Sequence, residues 1–227
     1  MKPLLVASLL AALGGACPVL ADPHRPIEGI GSTCLETVLR NCKVLTAGYL
    51  NADQGDRDGE PMLAWQTQTG FTPEDGVMGG FVLFQYASGE WTVLDSGFDG
   101  WRFSPPRLSE LDLLHIAGYT GGTGAYNADR LYRWGDLGHA AYREGWKPVD
   151  MRAWFETIGE KLPAGLEIWK GVQYAFDDPW SGIIARTDLW RPDDGNCCPT
   201  GGSAVIDFDI EDDRLVVKEV HYRAPGQ

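Results

Sequence analysis

The chain is short of the features that would mark a nucleic-acid or membrane protein. Its 227 residues carry 19 Lys and Arg against 32 Asp and Glu, a formal net charge of −13. A surface of that sign repels phosphate backbones and anionic headgroups, which disfavours both as partners. The first apolar stretch, Leu4 to Leu13, is too short to span a bilayer, and no later segment is long or apolar enough to suggest a membrane helix. Histidine is scarce, at four, so imidazole chemistry has few candidates.

Several catalytic signatures are also missing. Gly201-Gly-Ser-Ala-Val205 has Val where a nucleophile elbow needs Gly. Gly118-Tyr-Thr-Gly-Gly-Thr-Gly124 ends on Thr123-Gly124-Ala125 where a phosphate loop needs Gly-Lys-Ser/Thr, and Asn127 occupies the small-residue place of a dinucleotide fingerprint. A plain β-connection explains that glycine-rich loop better, although Tyr119 and Tyr126 would frame its amides as a ligand-facing pair. The 32 acids offer many pairs for glycosidic hydrolysis, but only their separation in space selects one. No catalytic set is assigned.

What is present begins with an export signal. Lys2, the apolar run to Leu13, and Val19-Leu20-Ala21 after the helix-breaking Gly14, Gly15 and Pro18 predict cleavage after residue 21. A lipoprotein cut before Cys17 is the alternative, but Gly14 stands where Leu is expected. Cleavage removes Lys2 and no acid, leaving 18 basic and 32 acidic side chains and a net charge of −14. The expected location is the periplasm or the exterior. Residues 22–32 read as a loose leader and 33–227 as one domain.

Four cysteines survive that cut: Cys34, Cys42, Cys197 and Cys198. An even count in an exported chain predicts two disulfides, with three possible pairings. Adjacent residues of an extended segment face opposite ways, so the preferred pairing ties the N-terminal segment to 197–198 twice. A Cys197–Cys198 bridge would need a strained eight-membered ring. A local Cys34–Cys42 bridge requires that any helix there be short, since one helix would hold their Cα atoms ~12 Å apart. Disulfide staples account for the cysteines better than a thiol or metal site with His115, His139 or His221 does.

The 29 Gly, 14 Pro, nine Trp, eight Tyr and eight Phe favour short strands and tight turns. The expected fold is mainly β, antiparallel hairpins arranged as a sandwich or propeller-like, with strands over 43–50, 61–68, 80–87, 90–95, 112–118, 129–134 and 166–176. The clearest hairpin alternates Ala204, Ile206, Phe208 and Ile210 with polar residues, then turns at Asp212-Asp213 into 214–222. Thr33 and Glu36 suggest a capping box for a short N-terminal helix. Met151, Trp154, Phe155, Ile158 and Leu162 build an apolar stripe that predicts an amphipathic helix near 150–162, capped by Asp150 and stopped by Pro163. A faint echo relates Glu90-Trp-Thr-Val-Leu-Asp95 to Gly145-Trp-Lys-Pro-Val-Asp150, and Asn51-Ala-Asp53 to Asn127-Ala-Asp129.

The acidic turn at 51–59 offers Asp53, Asp56 and Asp58 as hard oxygen ligands for Ca²⁺, although Gln54 and Trp65 occupy the first and twelfth places of an EF-hand register. With its Asp and Gly residues between two expected strands, the turn resembles the calcium-binding turns of FG-GAP or VCBS-type β-propeller repeats. That likeness spans about 25 residues and implies a bound calcium and a propeller. Asp and Gly also suit any solvated turn.

Three functions fit these features. The first is an acidic binding or inhibitory module for a basic envelope-active protein. The second is a glycan-binding domain, with exposed Trp101 and Trp180 as stacking platforms beside Tyr119 and Tyr126. The third is a hydrolase built on acidic residues, with Ca²⁺. The balance leans away from an enzyme.

Overall fold

The computed structural model describes residues 26–50, 62–74, 76–87, 89–109, 111–123, 125–137, 144–176, 180 and 182–226. The expected signal segment 1–21, residues 22–25 of the expected leader, His139, and the turn carrying Asp53, Asp56 and Asp58 lie outside them. With the turn go the calcium ligands and the propeller likeness.

The protein is mainly β, built from three four-stranded antiparallel sheets and one short ribbon. The first sheet is an unbroken meander of β1 (Arg40–Leu50), β2 (Met62–Thr72), β3 (Gly76–Ala87) and β4 (Glu90–Gly100). β5 (Arg102–Phe103) pairs with β8 (Gly118–Tyr119) as the ribbon. The second sheet runs β6 (Arg107–Leu108), β7 (Leu113–Ile116), β9 (Arg130–Asp136) and β10 (Glu144–Val149). The third is a meander of β11 (Gln173–Ala175), β12 (Ile183–Asp188), β13 (Ser203–Glu211) and β14 (Arg214–Arg223).

Side-chain alternation stacks these sheets. In β7, Leu113 belongs to the core shared with the third sheet, while Leu114 and Ile116 belong to the core shared with the first. In β9, Leu131 and Tyr132 divide the same way. A strand that buries both faces must be a middle layer. One core joins Leu63, Phe81 and Leu83 of the first sheet to Leu114, Tyr132 and Trp146 of the second. The other joins Leu131 and Val149 to Ile206, Phe208 and Leu215. Each fully buried side chain of this size contributes about 1.5–3 kcal/mol.

The outer face of the first sheet is covered by residues 26–39. Ile27, Ile30 and Leu35 pack there on Ala64, Val82 and Phe84. Gln66 and Gln68 are buried on that face and act as backbone partners for the covering segment. Gln66 Nε2 donates to the Ile30 and Thr33 carbonyls, its Oε1 accepts from Leu35 N–H at 3.0 Å, and Gln68 Nε2 donates to Leu35 O at 2.8 Å. Residues 26–32 are therefore docked, not loose as the leader expectation had it.

The short N-terminal helix does not form. Residues 34–39 carry no helix, Glu36 takes a positive φ of 49°, and the chain enters β1 at Arg40. With the helix gone, Cys34 and Cys42 lie 6.2 Å apart at Cα and are joined to each other. Cys197 and Cys198 are joined as well, which replaces the two long-range bridges expected from an extended segment. Residues 195–198 are a turn, with Cys198 N–H donating to Gly195 O at 3.0 Å, so the two side chains are not held on opposite faces.

The helix expected over 150–162 is broken into a 3₁₀ turn, Ala153–Glu156, and a single α-turn, α1 (Ile158–Lys161). Asp150 does accept from Arg152 N–H, at 2.9 Å. Met151, Trp154 and Ile158 are buried as the stripe required, but Phe155 is 42% exposed and stacks on Trp154 at 3.9 Å. The tighter 3₁₀ winding turns position 155 away from the face shared by 151 and 154. The strand expected over 166–176 is reduced to β11; Ile168, Val172, Tyr174 and Phe176 still face one core.

Candidate functional site

The glycine-rich loop after β8 is a β-connection closed at its base. Thr120 N–H donates to Tyr126 O and Tyr126 N–H to Thr120 Oγ1, both at 2.9 Å, and Ala128 N–H donates to Gly118 O at 2.9 Å. Two hollows flank it and share Thr120. One, of 510 Å³, is lined by Tyr126, Asn127, Asp129, Arg130, Phe155 and Tyr174, among others. The other, of 620 Å³, is lined by Met78, Phe98, Asp99, Trp101 and Gly121 as well. Arg130 reaches from the first to the second, donating from Nη2 to both oxygens of Asp99 at 2.7 and 2.9 Å.

The floor of the first hollow is a closed polar network. His115 Nε2 lies 2.7 Å from Asp129 Oδ1, and Asn127 Nδ2 donates to Asp129 Oδ2 at 2.9 Å. Asn127 also holds the segment that leads into β11: its Nδ2 donates to Val172 O at 2.9 Å and its Oδ1 accepts from Val172 N–H at 2.7 Å. Gly171 fits beside it only as glycine, because a Cβ there would meet Asn127 Oδ1 at 2.9 Å. Phe176 packs edge-on to His115 at 4.6 Å. The Tyr174 hydroxyl accepts from Trp154 Nε1–H at 2.9 Å, and burial holds its pKa far above the phenolic range, so it stays neutral. Tyr132, in the core between the first and second sheets, is raised in the same way by burial and donates to Asp95 at 2.6 Å.

The rim is aromatic. Tyr126 is 55% exposed, Trp101 46% and Tyr119 41%; Trp101 and Tyr119 meet edge-on at 5.8 Å. Three of the four aromatic residues singled out from sequence therefore gather around one loop. Trp180 does not join them: it is 95% exposed and lines none of the cavities described. The Cys197–Cys198 turn does touch this loop, through Asn196 Nδ2 donating to Thr123 Oγ1 at 3.3 Å.

Sequence reasoning did not find the network beneath that rim. His115 entered only as a soft ligand beside the cysteines, Asn127 and Asp129 as an echo of a turn with Asn127 also breaking a dinucleotide fingerprint, and Phe155 as part of the core stripe. Among the described residues, one His/Asp/Glu group brings its donor atoms within 4.8 Å of one another: Asp207, Glu219 and His221, on the outer face of the third sheet. His221 is bonded there to Asp207 at 3.0 Å. The molecule is thus defined by stacked antiparallel meanders carrying an aromatic-rimmed cleft with arginine on its walls. No family model matches the chain, and no curated protein or solved structure matches it either.

Proposed function

We propose that this protein is an exported binding module whose cleft beside the Thr120–Asn127 loop takes a neutral, polyhydroxylated ligand, an envelope glycan. The observation that carries this reading is the placing of Tyr126 and Phe155 on one hollow and Trp101 on the adjoining one, with Tyr119 edge-on to Trp101, each 41–55% exposed, and with Asn, Asp and Arg side chains in the walls. Flat rings cover the apolar faces of pyranoses, and planar amide, carboxylate and guanidinium groups pair with their hydroxyls. The acids nearest the cleft are engaged, Asp129 by His115 and Asn127 and Asp99 by Arg130. That commitment suits positioning a ligand better than hydrolysing one, so we place binding ahead of catalysis.

The net charge of −13 supports the alternative of capturing a basic envelope protein, through long-range attraction alone. Titration of neutral oligosaccharides against intrinsic tryptophan fluorescence tests the choice. Saturable quenching should appear, and Tyr126→Ala and Trp101→Ala should each weaken it by about three- to tenfold, the worth of one stacked ring. Quenching that ignores both substitutions, or none with any neutral oligosaccharide, overturns the reading.

A further inference from the structure

The largest cavity described, of 650 Å³, lies elsewhere, on the outer face of the third sheet. Register builds its floor. Gln173, Arg186, Val205 and His221 form one row across β11 to β14, and Asp188, Ser203 and Arg223 form the next row on the same face. Arg186 and Arg223 are thus two strands and two residues apart, roughly 12 Å between Cα atoms. Two arginine side chains at that spacing close on a small ligand held over Val205 and Ser203.

Basic charge gathers in this groove although the chain as a whole is acidic. Lys170, Arg186 and Arg223 all line the groove, yet among the described residues none of the three has a carboxylate within ion-pair distance. Lys170 instead places its ammonium 5.9 Å from the Trp190 ring centroid. Trp190 is buried, lines the groove, and has an indole N–H with no acceptor among the described residues. Asp188 is the one carboxylate in the lining; Asp207 lies next to the groove and is bonded to His221.

We propose that this groove is a binding site for a small oxyanion-bearing ligand, a carboxylate or a phosphate, gripped by Arg186 and Arg223 with Lys170 and Trp190 forming one wall. Guanidinium groups match such oxyanions with paired N–H donors, and the cavity falls within the range of about 300–1,000 Å³ usual for small-molecule sites. A long polyanion is not the ligand, because the net charge of −13 repels it as a whole while a small anion meets only the local cations. The site is independent of the aromatic cleft.

Calorimetric titration of the mature protein with inorganic phosphate, citrate and galacturonate, at low salt and up to about 10 mM, tests it. Saturable binding of phosphate alone assigns a phosphorylated ligand, and binding of the two carboxylates alone assigns an organic or uronic acid; either result supports the proposal. Arg186→Gln with Arg223→Gln should lower that affinity by about tenfold or more while leaving the melting temperature and the neutral-oligosaccharide quenching unchanged. Lys170→Gln gives a milder second variant should the pair fail to fold. No binding of any probe, or affinity unaltered by these substitutions, overturns the proposal.

Discussion

The aromatic cleft and the groove, on either side of the segment 170–174, differ in how much of their charge is paired. Tyr174 lines the aromatic cleft, while Lys170, Gly171 and Gln173 line the groove, so one short stretch separates them. In the cleft Asp129 is answered by His115 and Asn127, and Arg130 by Asp99, while Arg152 on the wall has no carboxylate at ion-pair distance among the described residues. In the groove three cations gather with no carboxylate at ion-pair distance among the described residues. An answered charge holds the fold in one arrangement, and an unanswered one keeps its pairing capacity for a ligand. On the two proposals above, the cleft floor is a structural element beneath the proposed glycan-binding rim, and the groove is the proposed anion site with little structural duty.

The sharpest way to break that contrast is Asp129→Ala. The carboxylate side chain is 6% exposed and His115 11%, so its removal strands an imidazole and the Asn127 amide that ties in Val172. We expect a loss of about 3 kcal/mol in urea unfolding at neutral pH, the cost typical of breaking a buried pair. A loss below about 1 kcal/mol would show that the network is dispensable to the fold and would remove the distinction drawn here.

A smaller effect comes from an acid that faces two cations, the inverse of the groove. Asp213, in the β13–β14 turn, bonds to Arg133 of β9 and to Lys147 of β10 at 2.7 Å, and its carbonyl accepts from Asp150 N–H at 2.8 Å. It thereby clamps the third sheet on the second. The Lys147 hydrogen bond, with help from Arg133, holds its carboxyl below the usual range. A depressed carboxyl contributes stability that is complete above its unfolded value of about 3.9 and is lost as pH falls through its folded value. Asp213→Asn should therefore cost about 1 kcal/mol at pH 5–8, and the gap from the parent protein should close below about pH 4. A gap independent of pH would mean that the clamp is not ionic.

How far the sequence foretold this architecture follows from the range of each signal. Alternation is a local signal of burial, so the 204–222 hairpin, the 80–95 hairpin and the strand after Lys43 all read correctly. The Trp-to-Asp echo was too short to prove a repeat, yet its two copies fall on β4 and β10, the closing strands of two successive sheets. β12 carries Ile183 and Ile184 together with no clean alternation, and it was missed. The apolar stripe at 151–162 identified buried residues correctly, but periodicity alone does not distinguish a continuous helix from a 3₁₀ turn followed by one α-turn. The sites were less legible, because they depend on register. Arg186 and Arg223 are 37 positions apart in sequence, and only the pairing of β12 with β13 and of β13 with β14 brings them over one groove. Asn127 and Val172 meet by the same kind of distant pairing. Exposed aromatics near glycine and proline were a local signal and located three of four rim residues.

The smallest effect concerns His221, on the groove's edge. The imidazole is half exposed, bonded to Asp207 at 3.0 Å with Glu219 at 3.8 Å from its other nitrogen. The Asp207 hydrogen bond, helped by the charges of Glu219 and Asp207 against modest desolvation, raises its pKa above the ordinary value. A raised histidine contributes stability that is complete below about pH 6.5 and is lost as pH rises through the folded value. Following the His221 ring protons by NMR should give a midpoint above that of a free histidine, and Asp207→Asn should return it toward about 6.5. The same titration sharpens the contrast between the two hollows, because protonated His221 would add a fourth cation beside Lys170, Arg186 and Arg223, while Asp188, Asp207 and Glu219 oppose it. A midpoint unmoved by Asp207→Asn would mean that Asp207 is not answering His221, and would leave the groove bordered by a free acid and its charge balance less favourable to an anion.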